Sequence, residues 1–127
     1  MFKYPKVNYI GNKEKIAQWI CDEFPQDAET LFDAFSGGCS LSYEAKCRGL
    51  EVYTNDILEI NFHIANSLIK NNEYTLNKED VELIFSGEPF EGFMFDNYSE
   101  VYFFPEECKE LDLYRKNIEK LDSEEKK

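Results

Sequence analysis

One stretch constrains this chain more than any other: 30-TLFDAFSGGCSLSYEAKCRGLEVYTND-56. Residues 30–35 have strand composition and run into Gly37-Gly38. Residues 40–49 read as a helix, with Ser40 placed to cap its start and Gly49 suited to a left-handed position at its end. Residues 51–56 read as a second strand. A strand, a tight glycine turn, a helix and another strand imply two parallel strands joined by a right-handed crossover. The fold class is therefore α/β.

The flanking segments extend the pattern. In 13-KEKIAQWICDEF-24, Ile16, Trp19, Ile20 and Phe24 fall at helical spacing, and Pro25 stops the helix. In 57-ILEINFHIANSLIK-70, Ile57, Ile60, Ile64 and Leu68 form the expected apolar stripe. The order becomes helix, strand, helix, strand, helix. The second half is less regular. Residues 76–87 hold a short helix, and 90-FEGFMFDNYSEVYFF-104 reads as an aromatic-rich loop or hairpin. Residues 105–121 read as a helix with Pro105 in its first turn and a stripe of Cys108, Leu111, Tyr114, Ile118 and Leu121. Three segments are expected: 1–72, 73–121, and a frayed charged tail at 122–127.

The charge is uneven. The 127 residues carry a net −12. Residues 1–20 contribute +3, residues 21–72 contribute −6 and residues 73–127 contribute −9. A phosphate backbone would be repelled over most of such a surface. Any DNA function would use the N-terminal edge or a more basic partner, although acidity alone also serves solubility. No apolar run is long enough for a membrane span, and residues 1–13 lack the apolar core of a secretion signal. Cys21, Cys39, Cys47 and Cys108 form no CxxC pair, and one histidine offers a zinc site little. They read as buried, reduced thiols of a cytoplasmic protein.

The glycine turn lets a ligand approach the backbone, and the helix after it presents free N–H groups. Asp56 lies nineteen positions after Gly37, near the offset at which dinucleotide folds place a ribose-binding acid. However, the pattern is SGGCS rather than GxGxxG, with no Lys or Arg directly after it to neutralise phosphates. Asp33, at the end of the first strand, suits a cationic group better than a pyrophosphate. Two acids around a glycine turn point to a ribose-bearing ligand with a positive amine or sulfonium, and S-adenosylmethionine fits. The other reading is that a GG pair between strand and helix is only a turn.

The ordered set 8-NYIGNK-13, 33-DAFSGGCS-40 and 55-NDI-57 resembles the N-terminal half of the D12-class DNA adenine-N6 methyltransferases. Residues 92–104 and 109–121 are similar to a branch of that family found in restriction–modification systems. The resemblance implies a partial Rossmann-like class I methyltransferase fold, with parallel strands and flanking helices. It places Tyr9, with Ile10 beside it, against bound S-adenosylmethionine and Lys13 near the cofactor's carboxylate. Asp33, Phe35, Ser36, Gly37, Gly38, Cys39 and Ser40 would wrap the methionine part, with Asp33 toward its amine. Asp56 would hold the ribose hydroxyls and Ile57 would flank the adenine. Against this, Tyr9 could be a packing residue at a helix entry, Lys13 a surface charge, and Asn55 a support for the strand end.

The family's catalytic motif, Asp-Pro-Pro-Tyr, has no counterpart here. The four prolines are Pro5, Pro25, Pro89 and Pro105, none adjacent to another. The tripeptide 96-DNY-98 lacks both prolines and receives no catalytic role. Only two or three strands are found where a complete sheet needs roughly seven, so a bare sheet edge is expected. Two readings follow. One is the cofactor-binding subunit of a split adenine methyltransferase, completed by a partner chain that carries catalysis, target recognition and most of the contact with double-stranded DNA. The other is a non-catalytic methyltransferase remnant acting as a binding or regulatory module. The closing EEKK reads as a natural chain end, and a longer enzyme cut at this point is the alternative. The 105–121 helix and the aromatic stretch before it are the expected partner surface.

Overall fold

A computed structural model describes residues 4–5, 9–123 and 126–127. Asn8, which opens the first motif, and Glu124 and Glu125 of the tail lie outside the described residues. The chain forms two compact units, Met1–Asn72 and Glu73–Lys127.

The first unit has the expected order: α1 (Ala17–Asp22), β1 (Thr30–Asp33), α2 (Ser40–Cys47), β2 (Glu51–Thr54) and α3 (Glu59–Ala65), with a π-helical turn (Asn66–Lys70) continuing α3. β1 and β2 pair in parallel, with Leu31 opposite Val52, Phe32 opposite Tyr53 and Asp33 opposite Thr54. Both strands end two residues before the sequence pattern does. Side chains alternate across the sheet. Leu31, Asp33, Val52 and Thr54 are half-buried, and α2 packs against both strands. Phe32 and Tyr53 share a face and are exposed.

Two helices turn inward only part of the stripe expected. α1 buries Ala17 and Cys21 and half-buries Ile20 and Phe24, whereas Trp19 is 63% exposed and Ile16 is also exposed. Residues 17, 20, 21 and 24 form the inward stripe, so the bulky side chains lost the core to small ones. α3 begins two residues later than expected. It buries Asn61, and the π turn buries Ile69; of the expected stripe Ile64 and Leu68 are half-buried, while Ile57 is 97% exposed and Ile60 is exposed. Lys46 of α2 secures the end of this segment, its ammonium donating to the carbonyls of Leu68, Ile69 and Asn71 at 3.0, 2.7 and 2.8 Å. Such carbonyls at a helix end otherwise lack donors. At the other end of α2 the expected cap is corrected. Ser40 is the first helical residue, and the N-cap is Cys39, in left-handed geometry and without a capping side chain. Gly49 follows the helix at φ +91°.

The second unit consists of α4 (Lys78–Phe85), α5 (Phe93–Tyr98) and α6 (Pro105–Ile118). Asn77 and Asp80 form a reciprocal cap on α4, with bonds of 2.8 and 2.9 Å. α5 replaces the expected loop or hairpin. Its six residues are held from α6, which packs on both other helices. The buried Asp112 carboxylate accepts from the N–H groups of Gly92, Met94 and Phe95 at 3.1, 2.9 and 3.0 Å. The buried Asn117 amide donates to the carbonyls of Ile84 and Ser86 at the end of α4, at 3.0 and 2.8 Å. The inward face of α6 is thus Cys108, Asp112, Leu113, Asn117 and Leu121. Leu111, expected on that stripe, is exposed. The tail segment, expected to fray, includes an ion pair of Lys126 with Asp80 at 2.9 Å. All four cysteines are free, and Cys47 is exposed rather than buried. Among the described residues no helix is long and apolar enough to cross a membrane, and no cluster of His, Cys, Asp and Glu is arranged to hold a metal.

Candidate cofactor site

The ends of β1 and β2 carry most of the expected site residues. Asn55 N–H donates to the Asp33 carbonyl at 2.9 Å, and Ser36 N–H donates to the Asn55 carbonyl at 3.0 Å. The parallel pairing thereby continues into the glycine turn. The Asn55 side chain donates to the Ala34 carbonyl at 3.0 Å, so Asn55 supports the strand end, as its alternative reading had it.

Gly37 adopts φ +51°. A Cβ there would lie 2.9 Å from Cε1 of Tyr9. The Tyr9 ring therefore rests on the turn, and glycine satisfies both the left-handed backbone and the close approach. The segment before α1 is pinned to the turn at two further points. The Tyr4 hydroxyl donates to the Gly38 carbonyl, and Lys13 N–H donates to Ser40 Oγ at 3.1 Å. This explains why Ser40 does not cap α2: its hydroxyl oxygen is engaged with a chain segment 27 residues away. The Lys13 ammonium donates to the Gly11 carbonyl at 2.6 Å.

The two acids differ in how they are held. Asp56 Oδ2 accepts from Gly37 N–H at 2.8 Å, and Oδ1 accepts from Leu58 N–H at 3.0 Å and Asn61 Nδ2 at 2.8 Å. These donors, the Leu58 N–H foremost, hold its pKa below the ordinary value of 3.8. Asp33 Oδ2 accepts from Ser42 Oγ at 2.5 Å. Burial pushes the Cys39 thiol up, and the nearby Asp33 and Asp56 charges add to the shift. A reactive thiolate is therefore disfavoured at Cys39.

The structure brings Tyr9, Lys13, Asp33, Ser36, Gly37, Gly38, Cys39, Ser40 and Asp56 into one cluster within the first unit. Ile10, Phe35 and Ile57 project as exposed apolar side chains. Three participants escaped the sequence reading: Tyr4, Ser42 and Asn61. Ser42 sits two residues into α2 and faces Asp33. Asn61 follows Asp56 by five residues, and no local signal marks it, because a polar residue in a helix reads as solvated.

Whether this cluster suits S-adenosylmethionine rests on the acceptors. An ionised carboxylate offers about four acceptor positions. Among the described residues Asp33 takes one donor and retains capacity, while Asp56 takes three close donors with the Ile57 N–H as a weaker fourth, whose place a ligand hydroxyl would take. Asp33 suits an ammonium or sulfonium. Asp56 suits a hydroxyl. The donor set fits the cofactor.

The sequence of residues 9–126 matches the D12 class N6 adenine-specific DNA methyltransferases. This chain belongs to that family. The type II methyltransferase M2.HphI of Haemophilus parahaemolyticus is 60% identical over 121 residues, covering 95% of this chain and 36% of the relative. The type II methyltransferase M.CviAII of Paramecium bursaria Chlorella virus 1 is 29% identical over 131 residues, covering 91% of this chain and 39% of the relative. The chain thus spans little more than a third of the length of these two relatives. No solved structure matches it. The family matches the sequence-based expectation, and the two-stranded parallel sheet with flanking helices is compatible with part of a methyltransferase fold.

Proposed function

We propose that this chain is the S-adenosylmethionine-binding portion of a DNA adenine-N6 methyltransferase of the type II restriction–modification kind. The methyl-transfer machinery is supplied by a partner chain that carries an Asp-Pro-Pro-Tyr motif. The observation that carries this reading is the pair of carboxylates, Asp33 and Asp56, flanking a glycine turn pinned beneath Tyr9 in a chain without adjacent prolines.

Asp33 holds the cofactor's amine, and Asp56 accepts from its ribose. Gly37 and Gly38 allow the backbone to approach, while Tyr9 and Ile57 supply apolar walls. When bound, S-adenosylmethionine supplies an electrophilic methyl group on a positive sulfur. The residues that position the target adenine for attack belong to the partner. The acidic surface agrees with this division, since most DNA contacts would fall to the partner.

The test is co-expression with a chain encoding the catalytic motif and target recognition. Incorporation of labelled methyl groups into DNA should exceed that of either chain alone. Calorimetry with S-adenosylmethionine runs beside it, and Asp56→Ala should abolish the heat of binding. If paired chains gain no activity, the split-enzyme reading falls. If no cofactor binding occurs even with the partner present, the non-catalytic remnant is the better description.

A further inference from the structure

Asn61 joins the two sides of the site. Its Nδ2 donates to the Tyr9 hydroxyl at 3.0 Å and to Asp56 Oδ1 at 2.8 Å. The Asn61 side chain is fully buried. Both of its N–H groups are used. The carboxylate on one side also fixes which amide atom faces it, because only the nitrogen donates. Its carbonyl oxygen is buried with no partner among the described residues. A leucine at this inward position would take the donor from both the Tyr9 hydroxyl and Asp56 Oδ1, so the amide is held here by its two partners although its own oxygen stays unpaired.

We propose that Asn61 is a positioning residue of the cofactor site. It couples the aromatic wall to the ribose-binding carboxylate by holding Tyr9 and Asp56 in one hydrogen-bonded unit. The inference rests on the S-adenosylmethionine reading given above. Tyr9 and Asp56 lie 47 positions apart in sequence, and each also touches the turn, Tyr9 through its ring and Asp56 through Gly37 N–H. Asn61 closes this triangle. Without it, Asp56 keeps its backbone donors, but the Tyr9 hydroxyl loses its tie to the carboxylate. The ring is then freer to leave the turn, and the site must be ordered anew on binding.

The test uses isothermal calorimetry with S-adenosylmethionine on the full chain, from about pH 5 to pH 8. Asn61→Asp puts a second carboxylate against Asp56. Two such groups share a proton, which raises one apparent pKa. At pH 8 the variant should bind about ten- to a hundredfold more weakly than the unaltered chain. As pH falls, the shared proton restores a donor toward Asp56, and the affinity ratio should recover. Tyr9, Asp33, Cys39, Asp56 and His63, the titratable groups around or beside Asn61, are present in both proteins, so the ratio isolates position 61. The same proton would restore stability too, so thermal midpoints of the variant are read at the same pH values. Recovery of affinity where the midpoint stays well above the assay temperature marks positioning rather than folding. Tyr9→Phe supplies a second route should Asn61→Asp not fold. It keeps the ring and removes the coupling, so its affinity should fall by about tenfold when measured well below a thermal midpoint that the unpaired Asn61 N–H also lowers. Equal affinities in the unaltered chain and these variants at every pH would overturn the positioning role while leaving the cofactor reading intact. No binding by the unaltered chain, alone or with its partner, would overturn both.

Discussion

At the end of β2 the Asp56 carboxylate gathers three close donors, the Gly37 and Leu58 N–H groups and the Asn61 amide, with the Ile57 N–H as a weaker fourth. Each favours its ionised form, so its folded-state pKa lies below the unfolded value near 3.8. Stability from this group is fully present above that unfolded value and is lost as pH falls through the folded pKa. Asp80 behaves in the same sense in the second unit, with the Asn77 N–H and then Lys126 as causes. Urea melts taken at successive pH values from about 5 down to 2 should show the midpoint falling steeply below about pH 4. Asp56→Asn should lower the midpoint at neutral pH and flatten that decline. A parallel decline in the variant would show that other carboxylates govern the acid transition. At this scale the sequence was partly transparent. Asp33, Asp56 and the glycines announced themselves by spacing from a strand end. Asn61 did not, because a polar residue in a helix is ordinarily assigned to water. Its inward place is set by partners distant in sequence, Tyr9 above all.

Elements were legible where they follow from local pattern. β1, α2 and β2 are each bounded by glycine or a polar turn, and their order was readable without tertiary knowledge. α5 was not, because Phe93–Tyr98 has no capping side chain of its own. Its cap comes from Asp112, on another helix. A six-residue helix barely repays nucleation by itself, so α5 is predicted to depend on that carboxylate. Asp112→Ala would leave the N–H groups of Gly92, Met94 and Phe95 without their acceptor. The expected cost is about 2 kcal/mol, read as a lower midpoint in denaturant. Asp112→Asn keeps one acceptor oxygen and should fall between the two. Hydrogen exchange should accelerate at Met94 and Phe95 ahead of the α6 amides. Protection that stays equal at these positions would mean that α5 holds without the carboxylate. The same reasoning applies to the stripe of α6. Apolar periodicity selected Cys108, Tyr114, Ile118 and Leu121, which are buried or half-buried, and Leu111, which is exposed, but it missed Asp112 and Asn117, which face inward to serve the ends of α5 and α4.

The whole chain combines two properties that seldom occur together. Its charge is −12, which drives copies apart. Yet Phe32, Phe35, Tyr53, Ile57 and Ile60 of the first unit are all exposed, while its buried apolar residues are mostly small: Ala17, Cys21, Cys39, Ala45 and Ile69. Large apolar side chains left in water forgo about 1.5–3 kcal/mol each, and exposed apolar side chains of this kind are the surface on which the proposed partner would sit. Phe32 and Tyr53 lie side by side on the sheet face opposite α2. In the proposed split enzyme this face belongs under the partner's strands and helices. Repulsion between copies is long-ranged and screened by salt, whereas apolar contact is not weakened by it. Sedimentation velocity should therefore find the isolated chain monomeric in about 50 mM salt and increasingly associated in about 1 M, where the Debye length falls to roughly 3 Å. Phe32→Ser should suppress that association and, in the co-expressed pair, weaken capture of the partner without abolishing cofactor binding, since Phe32 lies outside the Tyr9–Asp56 cluster. Association at high salt that ignores Phe32→Ser would place the sticky surface elsewhere, and the exposed Leu111 of α6, tested as Leu111→Asp, is then the next position to examine.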